Sequence, residues 1–120
     1  MKIKNSFIAL NNILDAAEGL SQVSKLDPTS KSILKFIAHQ NNLKTNVCIT
    51  DIAESSYFKS SKVTLLKKTQ ALIKLGWLEE KKSNIHHRRN DLILSKFAIK
   101  ELDLISRQLD RSLKQGLYSE

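Results

Sequence analysis

The sequence has little of what disulfides, membrane spans and secretion signals require. Its only cysteine is Cys48, so no disulfide can form within the chain. No apolar run approaches the ~20 residues that cross a bilayer. The apolar positions near the N-terminus are interrupted by Asn11, Asn12 and Asp15, unlike the continuous apolar core of a signal peptide. We therefore expect a cytoplasmic protein with no membrane partner.

Groups that enzymes use are also scarce. The glycines Gly19, Gly76 and Gly116 stand far apart and cannot form a loop that cradles phosphate. We find no activated nucleophile and no pair of carboxylates suited to acid and base catalysis. His86 and His87 are followed by arginines, which repel a metal ion. The sequence therefore predicts no enzymatic activity, no metal site and no cofactor.

Positive charge, in contrast, is abundant and concentrated. The chain has a formal net charge of +8, and residues 59–89 contain nine basic and two acidic side chains. The segments on either side are close to neutral, with net charges of +1 for residues 1–58 and 0 for residues 90–120. Because counterion release rewards a local density of cations, this distribution predicts nucleic acid as the partner of the basic segment.

Apolar periodicity and capping residues predict a chain of helices with one hairpin. Residues 6–24, with Ser6 as N-cap, and residues 95–116 carry apolar side chains at three- and four-residue steps. Asp27 and Pro28 are typical of the start of another helix. The remaining predicted elements are, in order, an extended run at 47–49, a brief helix at 51–56 capped by Thr50, a helix at 62–75 between Ser61 and Gly76, and strands at 77–82 and 91–94.

A short helix, a turn, a longer helix and a basic hairpin follow one another here in the order of a helix-turn-helix with an appended wing. Four segments resemble the winged-helix core of the MarR family of transcription regulators: ITDIA at 49–53, SKVTLL at 61–66, LIKLGWL at 72–78 and LILS at 92–95. The short, lysine-rich chain is most similar to the small SarA-type members. The resemblance covers residues 29–105.

The resemblance implies a mainly α fold with a small β-hairpin wing, which is a winged helix-turn-helix. We expect one DNA-binding domain over residues 1–120, with the winged-helix core at 29–94 and dimerisation helices at 6–24 and 95–116. The turn between the two motif helices is longer than is usual in the family. The family's wing carries an Asp-x-Arg motif, whereas this chain has a histidine in place of the acid within His86-His87-Arg88-Arg89.

In a complex of such a winged helix with DNA, the second motif helix would face base edges in the major groove, and the wing would enter the minor groove. The residues expected on the helix are Ser60, Ser61, Lys62 and Thr64 for base readout and Lys67 and Lys68 for phosphates. Those expected on the wing are Lys81 and Lys82 for the DNA backbone, and His87, Arg88 and Arg89 towards the tip. The alternative is that the helix lysines form an ordinary solvated face.

The terminal helices carry more apolar residues than a small winged-helix core can cover. Burying them between two subunits would be favourable by about 25 cal/mol per Å² of apolar area. The family dimerises through its terminal helices, so we expect a homodimer that meets a pseudo-palindromic operator. The expected interface residues are Phe7, Leu10, Leu14, Leu109, Leu113 and Leu117. The alternative is an intramolecular helical hairpin packed on the core.

The function expected from these observations is sequence-specific binding of double-stranded DNA by a dimeric transcription regulator. The alternative is an assembly or replication accessory protein that binds nucleic acid without specificity. The sequence does not identify a binding site for an effector. It also does not indicate whether the regulator represses or activates transcription. Cys48 is interpreted either as a small buried hydrophobe or as a thiol sensor, which some regulators of this family employ.

Overall fold

The computed structural model describes residues 5–83 and 89–118, with side chains described up to Lys114. Its elements, in chain order, are α1 (Asn5–Gly19), a 3-10 turn (Gln22–Lys25), α2 (Pro28–Asn42), α3 (Ile49–Glu54), α4 (Lys62–Lys74), β1 (Leu78–Lys82), β2 (Asn90–Leu94) and α5 (Lys96–Tyr118). β1 and β2 form an antiparallel hairpin, and the described residues contain no other strand. The predicted fold class, mainly helical with one small hairpin, is confirmed.

The chain divides into two compact units. One contains α1, the 3-10 turn and α5 from Lys100 onward, and the other contains residues Leu26–Ile99. The predicted winged-helix core at 29–94 falls within the second unit. Its fully buried large side chains come from α2, α3, α4 and both strands, and they are Ile33, Leu34, Ile37, Ile52, Leu65, Thr69, Leu72, Leu78 and Leu92.

The first helix is shorter than predicted. A helix at 6–24 capped by Ser6 was expected, but α1 begins one residue earlier, which places Ser6 inside it, and ends at Gly19. Glycine is a poor helix residue, so the helix is easily interrupted there. The carboxylate of Glu101 then accepts a hydrogen bond from the Gln22 N–H at 2.7 Å and holds the following residues in the 3-10 turn.

The starts of α2 and α4 agree with their predicted caps. The Asp27 carboxylate accepts a hydrogen bond from the Ser30 N–H at 3.1 Å, and Pro28 occupies the first helical position. The Ser61 hydroxyl accepts a hydrogen bond from the Thr64 N–H at 3.2 Å. Each cap satisfies a backbone donor that the first turn of a helix otherwise leaves unpaired.

The end of α4 is a Schellman motif, in agreement with the predicted role of Gly76. Gly76 has a φ of +88°, a conformation that L-residues with a side chain rarely adopt. Its N–H donates to the Ile73 carbonyl at 3.1 Å, and the Trp77 N–H donates to the Leu72 carbonyl at 2.9 Å. The buried side chains of Trp77 and Leu72 accompany these bonds. This turn leads the chain directly from α4 into β1.

The segment before α3 differs from the prediction. Residues 47–49 do not form a strand, and the N-cap of α3 is Cys48 and not Thr50. The physical reason is Asp51, whose carboxylate accepts a hydrogen bond from the Cys48 N–H at 2.9 Å and so closes the first turn one step earlier. Cys48 is half-exposed and is not a buried strand residue.

The hairpin of β1 and β2, which we call the wing, is bonded along the outer edge of β2 to α2 and to the segment between α2 and α3. Leu78 pairs with Leu94 in the hairpin register. On the other edge of β2, the Val47 carbonyl accepts from the Leu92 N–H at 2.7 Å. The Asn41 side-chain amide donates to the Leu92 carbonyl at 3.3 Å and accepts from the Leu94 N–H at 3.1 Å. Asn41 and Val47 therefore pair with the backbone groups that a third strand would otherwise satisfy, and they attach the wing to the rest of its unit.

Candidate nucleic-acid interface

The orientation of α4 follows from its apolar positions. Leu65, Thr69 and Leu72 are buried and turn one side of the helix into the core. The Thr69 hydroxyl donates to the Leu65 carbonyl at 2.7 Å, so this buried polar group is satisfied within the helix. At about 100° per residue, the side chains opposite this buried face are those of Val63, Lys67, Gln70 and Lys74. All four are exposed, and we call them the outward stripe.

Three of the residues predicted to read bases have other partners in the structure. The Ser61 hydroxyl caps α4 and donates to the Thr64 hydroxyl at 3.0 Å, and Thr64 is half-buried. The Ser60 hydroxyl lies 3.4 Å from the Thr29 hydroxyl of α2. Lys62 is the exception, since its side chain is exposed in the first turn of α4, although it lies about 100° round the helix from Val63 and outside the outward stripe. Among the predicted readout residues, the three hydroxyl side chains therefore have partners within the protein, and Lys62 is exposed.

The two lysines predicted to contact phosphates also differ. Lys67 lies on the outward stripe, whereas the Lys68 ammonium lies 3.3 Å from the Asp27 carboxylate at the start of α2. Partial burial alone would raise the pKa of Asp27. Hydrogen bonds from Ser30 and the ammonium of Lys68 outweigh burial and hold that pKa below its ordinary value of 3.8. Lys68 thus joins α4 to α2 in addition to any contact with a partner.

The lowered pKa of Asp27 predicts a pH-dependent contribution to stability. The carboxylate stabilises the fold above its ordinary pKa, and this contribution is lost as the pH falls through the folded-state value. Asp27→Asn keeps a capping side chain but removes the charge. We expect the variant to be less stable than the parent near pH 7 by about 0.5 kcal/mol, as for a partly exposed ion pair. The difference should shrink as the pH is lowered from about 5 to about 3 in urea titrations. A difference that does not vary with pH would contradict this assignment.

The long turn between α3 and α4 has a structural explanation. Tyr57 and Phe58 lie in this turn and pack against Phe36 of α2, with ring centroids 5.4 and 5.3 Å from that ring. Their own rings contact edge to face at 5.0 Å. An aromatic cluster of this kind fixes the turn against α2. The turn between α3 and α4 is therefore held against α2.

The strands of the wing present a mixed set of charges. Lys81 and Lys82 are exposed, as expected for contacts to a DNA backbone. Lys81 lies directly opposite Asp91 in the hairpin register, and the Asn90 amide donates to the Glu80 carboxylate at 2.9 Å. The predicted tip residues His87 and Arg88 lie outside the described residues.

Arg89 contacts three groups at the loop end of the wing strands. Its Nη2 lies 2.6 Å from the Asp51 carboxylate of α3 and donates to the Asn46 carbonyl at 3.2 Å. Its Nε lies 3.4 Å from the Asp91 carboxylate. We call this group the Arg89 clamp. Since it joins the wing to α3, a minor-groove contact by Arg89 would require these interactions to be exchanged for contacts with DNA.

The acidic partners of Arg89 in the clamp were not predicted from the sequence. In the sequence, a histidine stands where the family's wing has an acid, whereas in the structure the acids beside Arg89 are Asp51 and Asp91. Asp91 follows Arg89 by two positions, a spacing that places two side chains on one face of a strand. Asp51 lies 38 residues away in the sequence, and no local signal links it to the wing.

The residues predicted for a dimer interface are only partly described. Phe7, Leu10 and Leu14 of α1 are exposed by 65, 54 and 37%. Their spacing places all three on one stripe of the helix. Leu109 and Leu113 are half-buried, and the side chain of Leu117 lies outside the described part.

No helix among the described residues is long and apolar enough to cross a membrane. The same residues contain no cluster of three or more histidine, cysteine or acidic side chains suited to a metal ion. His86 and His87 are not part of the described structure.

No protein-family model matches this sequence, and no curated protein does either. Solved structures, however, match it over nearly its whole length. A MarR-like transcriptional regulator from Thermotoga maritima has a TM-score of 0.69 at 16% identity, covering 100% of this chain and 84% of that one. A mutant of MepR from S. aureus, bound to an oligodeoxyribonucleotide, has a TM-score of 0.66 at 16% identity, covering 99% and 85%. This is the MarR-like winged-helix fold.

A third structure agrees with this assignment of the fold. The transcription regulator MarR from Oenococcus oeni PSU-1 has a TM-score of 0.54 at 22% identity, covering 93% of this chain and 80% of that one. The resemblance expected from the sequence is thus confirmed for the fold. Within this winged helix, α3 and α4 are the helix-turn-helix pair, and β1 with β2 is the wing.

Proposed function

We propose that this winged-helix chain is a sequence-specific, double-stranded DNA-binding transcription regulator that acts as a homodimer. The outward stripe of α4 would face the major groove, and the wing would approach the minor groove. Lys81, Lys82 and Arg88 would supply the cations of the wing, and His87 would lie beside Arg88 in the sequence of its tip. The likeness to MarR-like regulators, one of them bound to an oligodeoxyribonucleotide, supports the choice of partner.

The observation that carries this proposal is the free positive charge of α4. The helix contains four lysines and no acidic residue. Lys62, Lys67 and Lys74 are exposed, and none of the three forms an ion pair with another described residue. Lys67 and Lys74 lie opposite the buried face of α4 and Lys62 lies in its first turn, so these unpaired cations suit a row of phosphates beside a groove.

Dimerisation is proposed from the apolar stripe of α1. Phe7, Leu10 and Leu14 expose large apolar side chains on one side of the helix. A second copy of the same helix would cover them in a two-fold symmetric contact. The dimer would then present two copies of α4 to the half-sites of a pseudo-palindromic operator, about 34–36 Å apart.

Selection from a library of random duplexes tests the proposal directly. A regulator should enrich one palindromic sequence and bind it at least ~10³-fold more tightly than bulk DNA. Uniform weak binding to all duplexes would contradict sequence-specific regulation and would favour the accessory role.

Lys67 provides a test of the role of α4. Lys67→Ala should weaken binding to the selected duplex about fivefold near physiological salt, because it removes one phosphate contact. The slope of log affinity against log salt should become shallower by about 0.9. Lys96→Ala, which removes an equal charge from the start of α5, is the matched control and should leave the slope unchanged. Equal effects of the two substitutions would indicate general electrostatic attraction and not a contact by α4.

A further inference from the structure

Val63 is the one apolar residue of the outward stripe, and it lies in the first turn of α4. It occupies the second helical position and is 61% exposed. Valine is β-branched and is a poorer helix former than the lysines beside it. Its exposed position therefore contributes little to the stability of α4.

The surroundings of Val63 identify the kind of surface that it would meet. Lys67 follows one turn later on the same stripe, and Lys62 precedes it about 100° round the helix; both are exposed and neither has an ion-pair partner among the described residues. An apolar group beside unpaired cations does not suit a hydrophobic protein partner, whose surface would have to bury those charges. It does suit the floor of the major groove, where the cations reach the phosphates on either side.

The major groove presents few apolar groups to a protein. Guanine, cytosine and adenine offer hydrogen-bond donors and acceptors, whereas thymine adds a 5-methyl group. A valine side chain has no donor or acceptor and would leave polar base edges unpaired if it covered them. The matching partner for Val63 is therefore a thymine methyl group.

We propose that Val63 reads a thymine 5-methyl group in each half-site, with Gln70 continuing the base-facing stripe and Lys67 reaching a phosphate beside the groove. The inference rests on the proposed DNA-binding function and names the residue and the base. The hydroxyls of Ser60, Ser61 and Thr64, which stay predicted readout residues, have contacts within the protein. Val63 requires no such contact to be broken.

The test uses the duplex selected from a random library, with each thymine replaced singly by deoxyuridine. This substitution keeps the hydrogen-bonding edge of the base and removes only the methyl group. One thymine in each half-site should be sensitive, with the parent protein losing about fourfold in affinity, the change given by one buried methyl group. Val63→Ala should bind the thymine duplex about fourfold more weakly and should not distinguish uracil from thymine at that position.

The matched control is Leu75→Ala, which removes an exposed apolar side chain from the end of the same helix, away from the outward stripe. This variant should retain the full response to uracil. Val63→Ala is expected to fold because alanine favours helix more than valine does, and circular dichroism checks this.

The outcomes separate this inference from the proposed function. If the library yields no preferred sequence, the regulatory proposal fails and the Val63 inference with it. If a preferred sequence is found but no thymine is sensitive, or Val63→Ala keeps the parent's response to uracil, only the inference is overturned.

Discussion

Replacing Leu10 and Leu14 together with aspartate is expected to convert the proposed dimer into a monomer and to reduce operator affinity at least 100-fold. Both side chains lie on the exposed apolar stripe of α1. In a symmetric contact each substitution would occur twice, so four carboxylates would be placed in an apolar interface at a large desolvation cost. The loss in affinity arises because a monomer contacts one half-site without the second being held nearby. Linkage of two such sites is worth about 10²–10⁴ in affinity.

Sedimentation equilibrium and titration of a duplex with two half-sites measure the two effects. Leu43→Asp is the matched control, since Leu43 is a leucine of similar exposure, 58%, at the end of α2. It should leave the mass unchanged. Because Leu10 and Leu14 are exposed, their substitution should leave the helical content of the monomer intact. A double variant that remains dimeric would exclude α1 as the interface, and a monomer with full operator affinity would exclude the two-site mechanism.

Arg89→Ala is expected to lower the free energy of unfolding by about 1–3 kcal/mol, the cost of leaving partly buried polar groups without partners. The substitution would remove the hydrogen bond to the Asp51 carboxylate and the positive charge beside the Asp91 carboxylate. Asp91 is the less exposed of the two, at 13%, and its Oδ1 forms no hydrogen bond with Arg89, so it loses an electrostatic attraction only. Because the clamp also orients the wing, we expect DNA affinity to fall by about tenfold or more, the equivalent of one lost interface contact.

Asp51→Asn distinguishes the clamp from a direct DNA contact by Arg89. If the clamp is the main role of Arg89, Asp51→Asn should also reduce both stability and DNA affinity. The double variant should then show a coupling energy of about 1 kcal/mol in urea unfolding. If Arg89 mainly contacts DNA, removal of the Asp51 charge should leave affinity unchanged or raise it.

Two further variants serve as controls for the Arg89 clamp. Arg89→Lys keeps the charge but cannot span both carboxylates with a planar fork, so it should be intermediate in stability. Arg107→Ala removes an arginine that is 74% exposed and pairs with Asp103 within α5. It should change stability by less than about 0.5 kcal/mol. An effect as large as that of Arg89→Ala would remove the distinction between the clamp and an ordinary surface ion pair.

The helix boundaries that were predicted well depend on neighbours in the sequence. Asp27 with Pro28, Ser61 and Gly76 each act on backbone groups within a few residues, so their residue types suffice to locate a helix end. The boundaries that were missed have mixed causes: the N-cap of α3 depends on Asp51, three residues from Cys48, whereas the turn after α1 depends on a distant partner. The 3-10 turn after α1 is held by Glu101, which lies 79 residues away from Gln22.

The candidate interface shows the same division. The basic segment and the helical phase of α4 are readable from the sequence, since residue spacing alone sets which side chains oppose Leu65, Thr69 and Leu72. The sequence does not reveal that Lys68 is paired with Asp27, because that pairing depends on how α2 and α4 pack. Residue types likewise favoured the hydroxyl side chains for readout, whereas the structure gives those hydroxyls other partners.

What the sequence by itself determined is the set of helices, the hairpin, their order and the place of the positive charge, because caps, periodicity and composition act over short stretches of chain. Tertiary structure alone decided which cations remain free and how the wing is attached. Asn41 reaches β2 across 51 residues, and Arg89 reaches Asp51 across 38. Such contacts form only when the packing of apolar side chains has brought distant segments together, and no local pattern specifies them.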